Sequence, residues 1–437
     1  MSGWSQPIAA AGDGQLAGTL VITLSVVLCA HVQNRVVVQA VGLVSPLGLG
    51  AWQTFSVLLG GETIADRAAT LGPDTDPIDL VRAVGGVAVA QHSATDPAVD
   101  LAEWAAREAM TAAGIDPAGL DAVVGASKGA VVAATAAIAR RASPGDHRRL
   151  MRCSATPTVP ADADLAIVLG PHGYLNHHLR KRLGLRSVRS VVAACASSLT
   201  ALHQARLMLL HPTDDRMPRR VLVISCEAAL LPAFLHSYAR LGVLPPLRPE
   251  AYCGRPLDRA RGGFMPCEIG AAVVLEAVSA PEPGQIELVD TAIATEAYDL
   301  IRTPPRMNAL ARVVEQISVN HWIDLLHPHA TGTVDYDPIE LAAYERAFAK
   351  VGRFPTAVYA VKGALGHGLG AAGLVSLVIA YLCAKTNRRP PMPWLESPID
   401  TPLPLTPPGL RLKPNSTHAV FAAGFAGHVA GAVLATR

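Results

Sequence analysis

The sequence predicts an α/β protein whose sheets are buried. Strand-like and helix-like segments alternate through both halves of the chain, the pattern of layered sheets and helices. Half of the 437 residues are apolar and 16% are charged, a balance that supplies a large core and rules out disorder for most of the chain. Aromatic residues make up 5%, so much of the apolar share is Ala, Val and Leu, which suits close-packed helices on buried strands. A mass of 45.6 kDa allows two or three domains, or one large two-part unit.

The elements follow in order. RVVVQAVGLVSPLGLG, from Arg35, reads as a buried strand and a Ser-Pro-Leu-Gly turn. Residues 99–114 (VDLAEWAAREAMTAAG) have the spacing of an amphipathic helix closed by Gly114. LDAVVGASKGA is a strand that runs into a glycine-containing turn. SVRSVVAA (187–194) is a strand followed directly by a helix over 195–210. RRVLVISCEAAL and GAAVVLEAV (270–278) are further buried strands. SAPEPGQ (279–285), with two prolines and a glycine, is the best linker. Beyond it come helices near 308–319 and 338–351, the helix GAAGLVSLVIAYLCAKT and a final strand pair ending at Arg437. The expected division is an N-terminal extension (1–33), a first half (34–280) and a second half (281–437).

Charge and cysteine usage narrow the function. Lys+Arg 37 against Asp+Glu 35 gives a net charge of +2, so no global field marks a nucleic-acid binder, and no aromatic residues interleave the basic runs. Seven dispersed cysteines with no CxxC pattern argue against a disulfide framework or structural zinc and fit a reducing, cytoplasmic setting. Residues 16–30 (LAGTLVITLSVVLCA) are apolar, but they fall short of the ~20 residues of a spanning helix, and no Lys or Arg precedes them. Membrane insertion is therefore not expected.

Four segments could carry chemistry. Cys195 falls where an apolar strand meets an Ala-rich helix. A thiol in a first helical turn meets unpaired N–H groups and the positive end of the helix dipole, which predicts a lowered pKa. By itself, a cysteine in such a setting is a packing residue. His329 lies in HPHATGT (327–333), a polar loop in which His327 competes for the same role. KGALGHGLGAAG (362–373) places His367 five residues after Lys362; a phosphate-cradling loop is the rival, although neither GxxxxGK[ST] nor GxGxxG after a strand is present. AAGFAGH (422–428) is a tight turn with one aromatic, Phe425.

Together these segments resemble the β-ketoacyl-acyl-carrier-protein synthases, the condensing enzymes of fatty acid and polyketide synthesis. VVAACASSLTALHQA is similar to the nucleophile segment. HATGTVDYDPIE, KGALGHGLGAAG, RPLDRARGGFMPCEIGAAVVLE (255–276) and VQAVGLVSPLGLG are similar to four other blocks in family order, over about residues 35 to 437. The resemblance implies a thiolase-like fold of two similar α/β halves in five layers, and a homodimer. It implies Cys195 as acyl-accepting nucleophile, His329 and His367 as the paired histidines and Lys362 as the lysine beside them. Glu340 would support the first histidine, with Phe425 as a gating aromatic and Thr331 and Thr333 contacting a phosphopantetheine arm. It implies acyl carrier protein as partner, no metal and no cofactor of the protein's own. Arg140, Arg141, His147, Arg148, Arg149 and Arg152, or Arg180, Lys181, Arg182, Arg186 and Arg189, would offer an acidic carrier a basic face. Two alternatives stay open: a non-catalytic subunit of the chain-length-factor type, and a relative that decarboxylates or transfers acyl groups without condensing them. The chain departs from the family pattern at Ala330, Cys267, Ile269, Asp335, Tyr336 and Ala426. A Cβ at Ala330 predicts crowding of the loop, and φ > 0 at Ala426 would be strained.

Overall fold

A computed structural model describes residues 34–437 except 73–74, 92, 143–159, 212–218, 247–253 and 406–410. The N-terminal extension, Cys29, Cys153, Cys253 and the basic residues His147, Arg148, Arg149 and Arg152 lie outside the described residues.

Ten strands are found among the described residues: β1 (Arg35–Val44), β2 (Asp121–Gly125), β3 (Ser187–Val191), β4 (Arg220–Glu227), β5 (Ile269–Val278), β6 (Ile286–Thr295), β7 (Leu325–His327), β8 (Ala357–Val358), β9 (Thr417–Ala423) and β10 (His428–Thr436). They are hydrogen-bonded in the order β3-β2-β4-β5-β1-β6-β10-β9-β7-β8. The order repeats about the middle. The first five strands run 3-2-4-5-1 from edge to joint, and the last five run the same way, with β8, β7, β9, β10 and β6 in the equivalent places. Directions repeat as well: β2 is parallel to β3 and β4, and β7 to β8 and β9, while β5 and β10 are antiparallel to both neighbours. The halves join through β1 and β6, where only Val37↔Glu287 and Val38↔Ile286 pair.

Six of the helices complete the layers. On the outside of the first half lie α1 (Pro97–Ala113) and α2 (Leu165–Leu183). Outside the second half lie α4 (Asn308–Ser318) and α5 (Tyr336–Val351). Between the halves α3 (Ser197–Leu210) and α6 (Ala372–Thr386) touch each other and strands of both. This is the expected five-layer α/β architecture. Local chemistry fits it. α1 begins with Asp96, which accepts the Ala98 amide at 2.8 Å, and with Pro97 in its first turn; it ends at Gly114 in the left-handed region. α6 is buried on every side from Ala372 to Ala384, as an apolar helix in a middle layer must be. Residues 369–386 are apolar enough to cross a membrane by length and composition, yet 89% of the stretch is buried inside the chain.

Candidate active site

β3 ends at Val191, and the chain then turns sharply before α3 starts at Ser197. Ala194 adopts φ 48° in that turn. The Ser197 hydroxyl locks it, accepting the Ala193 amide at 2.8 Å and donating to the Ala194 carbonyl at 2.6 Å. Ala193 and Ala196 are buried, so only small side chains fit around the turn. Cys195 therefore lies two residues before the helix rather than in its first turn, a correction to the expected position. The expected low pKa is corrected too: burial pushes the thiol up to about 11, while Lys362 and Lys128 pull against it.

His329 follows β7 on a loop gripped from behind. Glu340 on α5 accepts the amides of His329 at 2.7 Å and of Ala330 at 2.6 Å, and its Oε1 also accepts the Tyr344 hydroxyl at 3.0 Å. Lys362 donates to the His329 carbonyl. Glu340 and Lys362 are both buried and neither lines the cavity, so they position His329 from behind. Burial drives the two toward neutrality, the carboxyl up and the ammonium down. Asp337 fixes the next stretch by accepting the amides of Gly332 at 2.9 Å and Leu257 at 2.8 Å. The hydroxyls of Thr331 and Thr333 lie 3.1 Å apart, and both residues line the cavity.

His367 is held by a strand-like partner. Its amide donates to the Met265 carbonyl at 2.7 Å, and its carbonyl accepts the Cys267 amide at 3.2 Å. The ring stands edge-on to Phe264, centroids 4.8 Å apart. The rings of His329 and His367 are 5.3 Å apart at 78°. His327 points elsewhere: it stacks on His418 at 5.8 Å and does not line the cavity, which decides between the two histidines of the HPH sequence.

Three distant segments thus converge. The Cys195 sulfur and one nitrogen from each of His329 and His367 all lie within 4.8 Å of one another. Burial, reinforced by the Lys362 ammonium, holds both imidazoles well below the usual histidine range, so they are neutral. The three atoms are also of the types that hold a soft metal ion such as zinc. They open on a cavity of about 810 Å³ with Phe425 at 39% exposure in its wall. A Cβ on Gly424 would stand 2.9 Å from the Cys195 nitrogen, so the Phe425 turn packs directly on the nucleophile turn.

Three of the departures, Asp335, Tyr336 and Ala426, sit in this wall. Ala330 has φ 33° and Ala426 φ 60°, both in the region that favours glycine. Ala194, Leu257, Met307 and Leu369, in or beside the site, share positive φ, which concentrates backbone strain there. Tyr336 stands edge-on to His329 with centroids 5.5 Å apart. Tyr336, Phe264, Tyr238 and Lys128 also line the cavity; Tyr238 and Lys128 lie in segments with no chemical pattern, and the blocks that hold Tyr336 and Phe264 give neither of them a role.

Comparison with known proteins decides the family. Residues 33–280 match the description "Beta-ketoacyl synthase, N-terminal domain" and residues 287–396 match "Beta-ketoacyl synthase, C-terminal domain". The chain belongs to the β-ketoacyl synthase family. This β-ketoacyl synthase relative is 26% identical over 434 residues to the tetracenomycin polyketide synthase ketoacyl synthase alpha subunit of Streptomyces glaucescens, covering 93% of the chain and 98% of that subunit. It is 27% identical over 398 residues to the actinorhodin polyketide putative beta-ketoacyl synthase 1 of Streptomyces coelicolor, covering 82% and 79%. Among solved structures, a type II polyketide ketosynthase in complex with its acyl-carrier protein superposes with a TM-score of 0.71 at 21% identity, covering 93% of the chain and 100% of that one. The ishigamide ketosynthase/chain length factor gives 0.68 at 20% identity, covering 93% and 100%. These two likenesses show the fold, a thiolase-like one.

Proposed function

We propose that the protein is a β-ketoacyl-acyl-carrier-protein synthase that performs a decarboxylative Claisen condensation. The convergence of Cys195, His329 and His367 within 4.8 Å on one cavity carries this reading. Sulfur of Cys195 bonds to the acyl carbon, the carrier's S–C bond breaks, and the thiol proton leaves on the carrier's sulfur. A thiol held up to about 11 needs that proton removed as the bond forms, and the neutral imidazoles are within reach to assist. Malonyl-carrier-protein then loses CO2, and the electron pair of the broken C–C bond becomes an enolate. Neutral imidazoles donating to its oxygen stabilise it. The enolate carbon attacks the Cys195 thioester, whose oxyanion is met by the amides of Cys195 and Phe425. The C–S bond breaks, and the Cys195 thiolate regains a proton from solvent.

On this reading Thr331 and Thr333 meet the phosphopantetheine arm, the first half supplies the nucleophile and the second both histidines. The partners are acyl carrier protein and a second copy of the chain, in the cytoplasm, with no cofactor of the protein's own. Cys195→Ala tests it: acyl loading from carrier protein, read by intact mass, is expected to vanish. Loading that survives in the variant overturns the proposal. A second reading, a chain-length-factor-like subunit, is favoured by the raised thiol alone; it requires that wild-type protein not load at all.

A further inference from the structure

The turn after β2, whose ASKG sequence has no role in the mechanism above, reaches the cavity. Lys128 lines it together with Cys195. The turn is pinned on three sides: the Ser127 amide donates to Glu227, the Ala126 carbonyl meets His172 Nε2 at 3.1 Å, and the Ala130 amide donates to the Pro171 carbonyl at 3.1 Å. Gly129, at φ 64°, packs so closely that a Cβ would lie 2.9 Å from the Pro171 backbone. The lysine is thus presented by a fixed backbone. Its Nζ stands 5.7 Å from the Phe234 ring centroid, and among the described residues it forms no ion pair. The same wall carries Tyr238, Leu241, Val243 and Phe264, which are largely apolar.

We infer that Lys128 is a specificity-determining residue that selects oxygen-bearing acyl chains over saturated ones. This rests on the reading of Cys195 as the acyl acceptor. A saturated chain filling the cavity strips water from the ammonium and offers no acceptor in return. A keto oxygen along the chain replaces the lost water with a charge-assisted hydrogen bond. Lys128 is half-buried, and a chain that covers it without an acceptor leaves the donor unpaired, so the site disfavours that chain.

The full-length protein is incubated with hexanoyl-, β-oxohexanoyl- and δ-oxohexanoyl-pantetheine, and the initial rate of Cys195 acylation is read by intact mass. At least one oxo thioester is expected to load about tenfold faster than hexanoyl, the value of one charge-assisted bond. Lys128→Met is expected to abolish the ratio by raising the hexanoyl rate relative to the oxo rates, and Lys128→Arg to retain it. Equal wild-type rates for all three overturn the inference without any variant. A preference that persists unchanged in Lys128→Met also overturns it and leaves Lys128 as a counter-charge for the buried Glu227. If none of the three acylates the wild type, the acyl-acceptor reading itself fails, and this inference falls with it.

Discussion

At the scale of single residues, two alanines hold backbone conformations that alanine resists. Ala330, beside His329, and Ala426, beside Phe425, both have positive φ. An L-residue there costs about 1–2 kcal/mol relative to the right-handed region, and glycine escapes that cost. Ala330→Gly and Ala426→Gly are therefore each expected to stabilise the fold by about 1 kcal/mol, read as a shift in denaturant midpoint. Unchanged or lowered midpoints would show that the turns are not strained. The cluster of positive φ around Cys195, His329 and Phe425 places the strain where three backbones meet, which is where a site stores it. The sequence showed the departures at Ala330 and Ala426, but the conformation that makes them costly came only from the turns themselves.

At the scale of elements, the outer helix α1 lies unusually close to its sheet because two strand positions lack a side chain. A Cβ on Gly42 of β1 would fall 2.0 Å from the Ala105 carbonyl oxygen, and one on Gly270 of β5 would fall 2.3 Å from the Leu101 carbonyl oxygen. Neither oxygen is the tip of a flexible side chain, so the whole helix must move. Gly42→Ala is expected to cost about 2 kcal/mol or more, measured by chemical denaturation. A neutral result would mean that α1 slides freely on the sheet. The helix itself was legible from its apolar spacing and its Gly114 end, whereas its start at Asp96 and Pro97 and its distance from the strands were not.

Across the whole molecule, the buried titratable groups set the pH dependence of stability. Burial holds His327, His329, His367 and His418 below the usual histidine value of 6.5, so the stability they contribute is complete above pH 6.5 and falls as pH drops below it. Burial pushes Asp96 and Glu268 up to about 7 and Asp337 up to about 6. These carboxyls contribute stability that is complete below their unfolded values and is lost as pH rises through their folded ones. Between about pH 4.5 and 6.5 the two sets oppose each other. Below about pH 4 the raised carboxyls are protonated in both states, while the histidines, joined by carboxyls such as Asp121 that the Arg186 guanidinium holds low, still draw protons on unfolding. A nearly flat stability from pH 6.5 to about 4.5, followed by a steep fall, is expected from urea titrations across pH. A steady decline beginning at pH 6.5 would contradict it.

The sequence by itself determined the α/β alternation, which rests on local spacing, and the family resemblance, which singled out Cys195, His329 and His367 where the residues alone left a packing cysteine and His327 open. Only the tertiary structure decided that the sulfur and the two imidazoles meet within 4.8 Å, that His329 rather than His327 faces the cavity, and that burial raises the thiol. It also brought Lys128 and Tyr336 to the same wall. The reason is physical: those facts depend on which segments two half-sheets and their shared middle helices bring together, and on how much water that leaves. Contacts between residues more than a hundred positions apart have no signature in the spacing of either one.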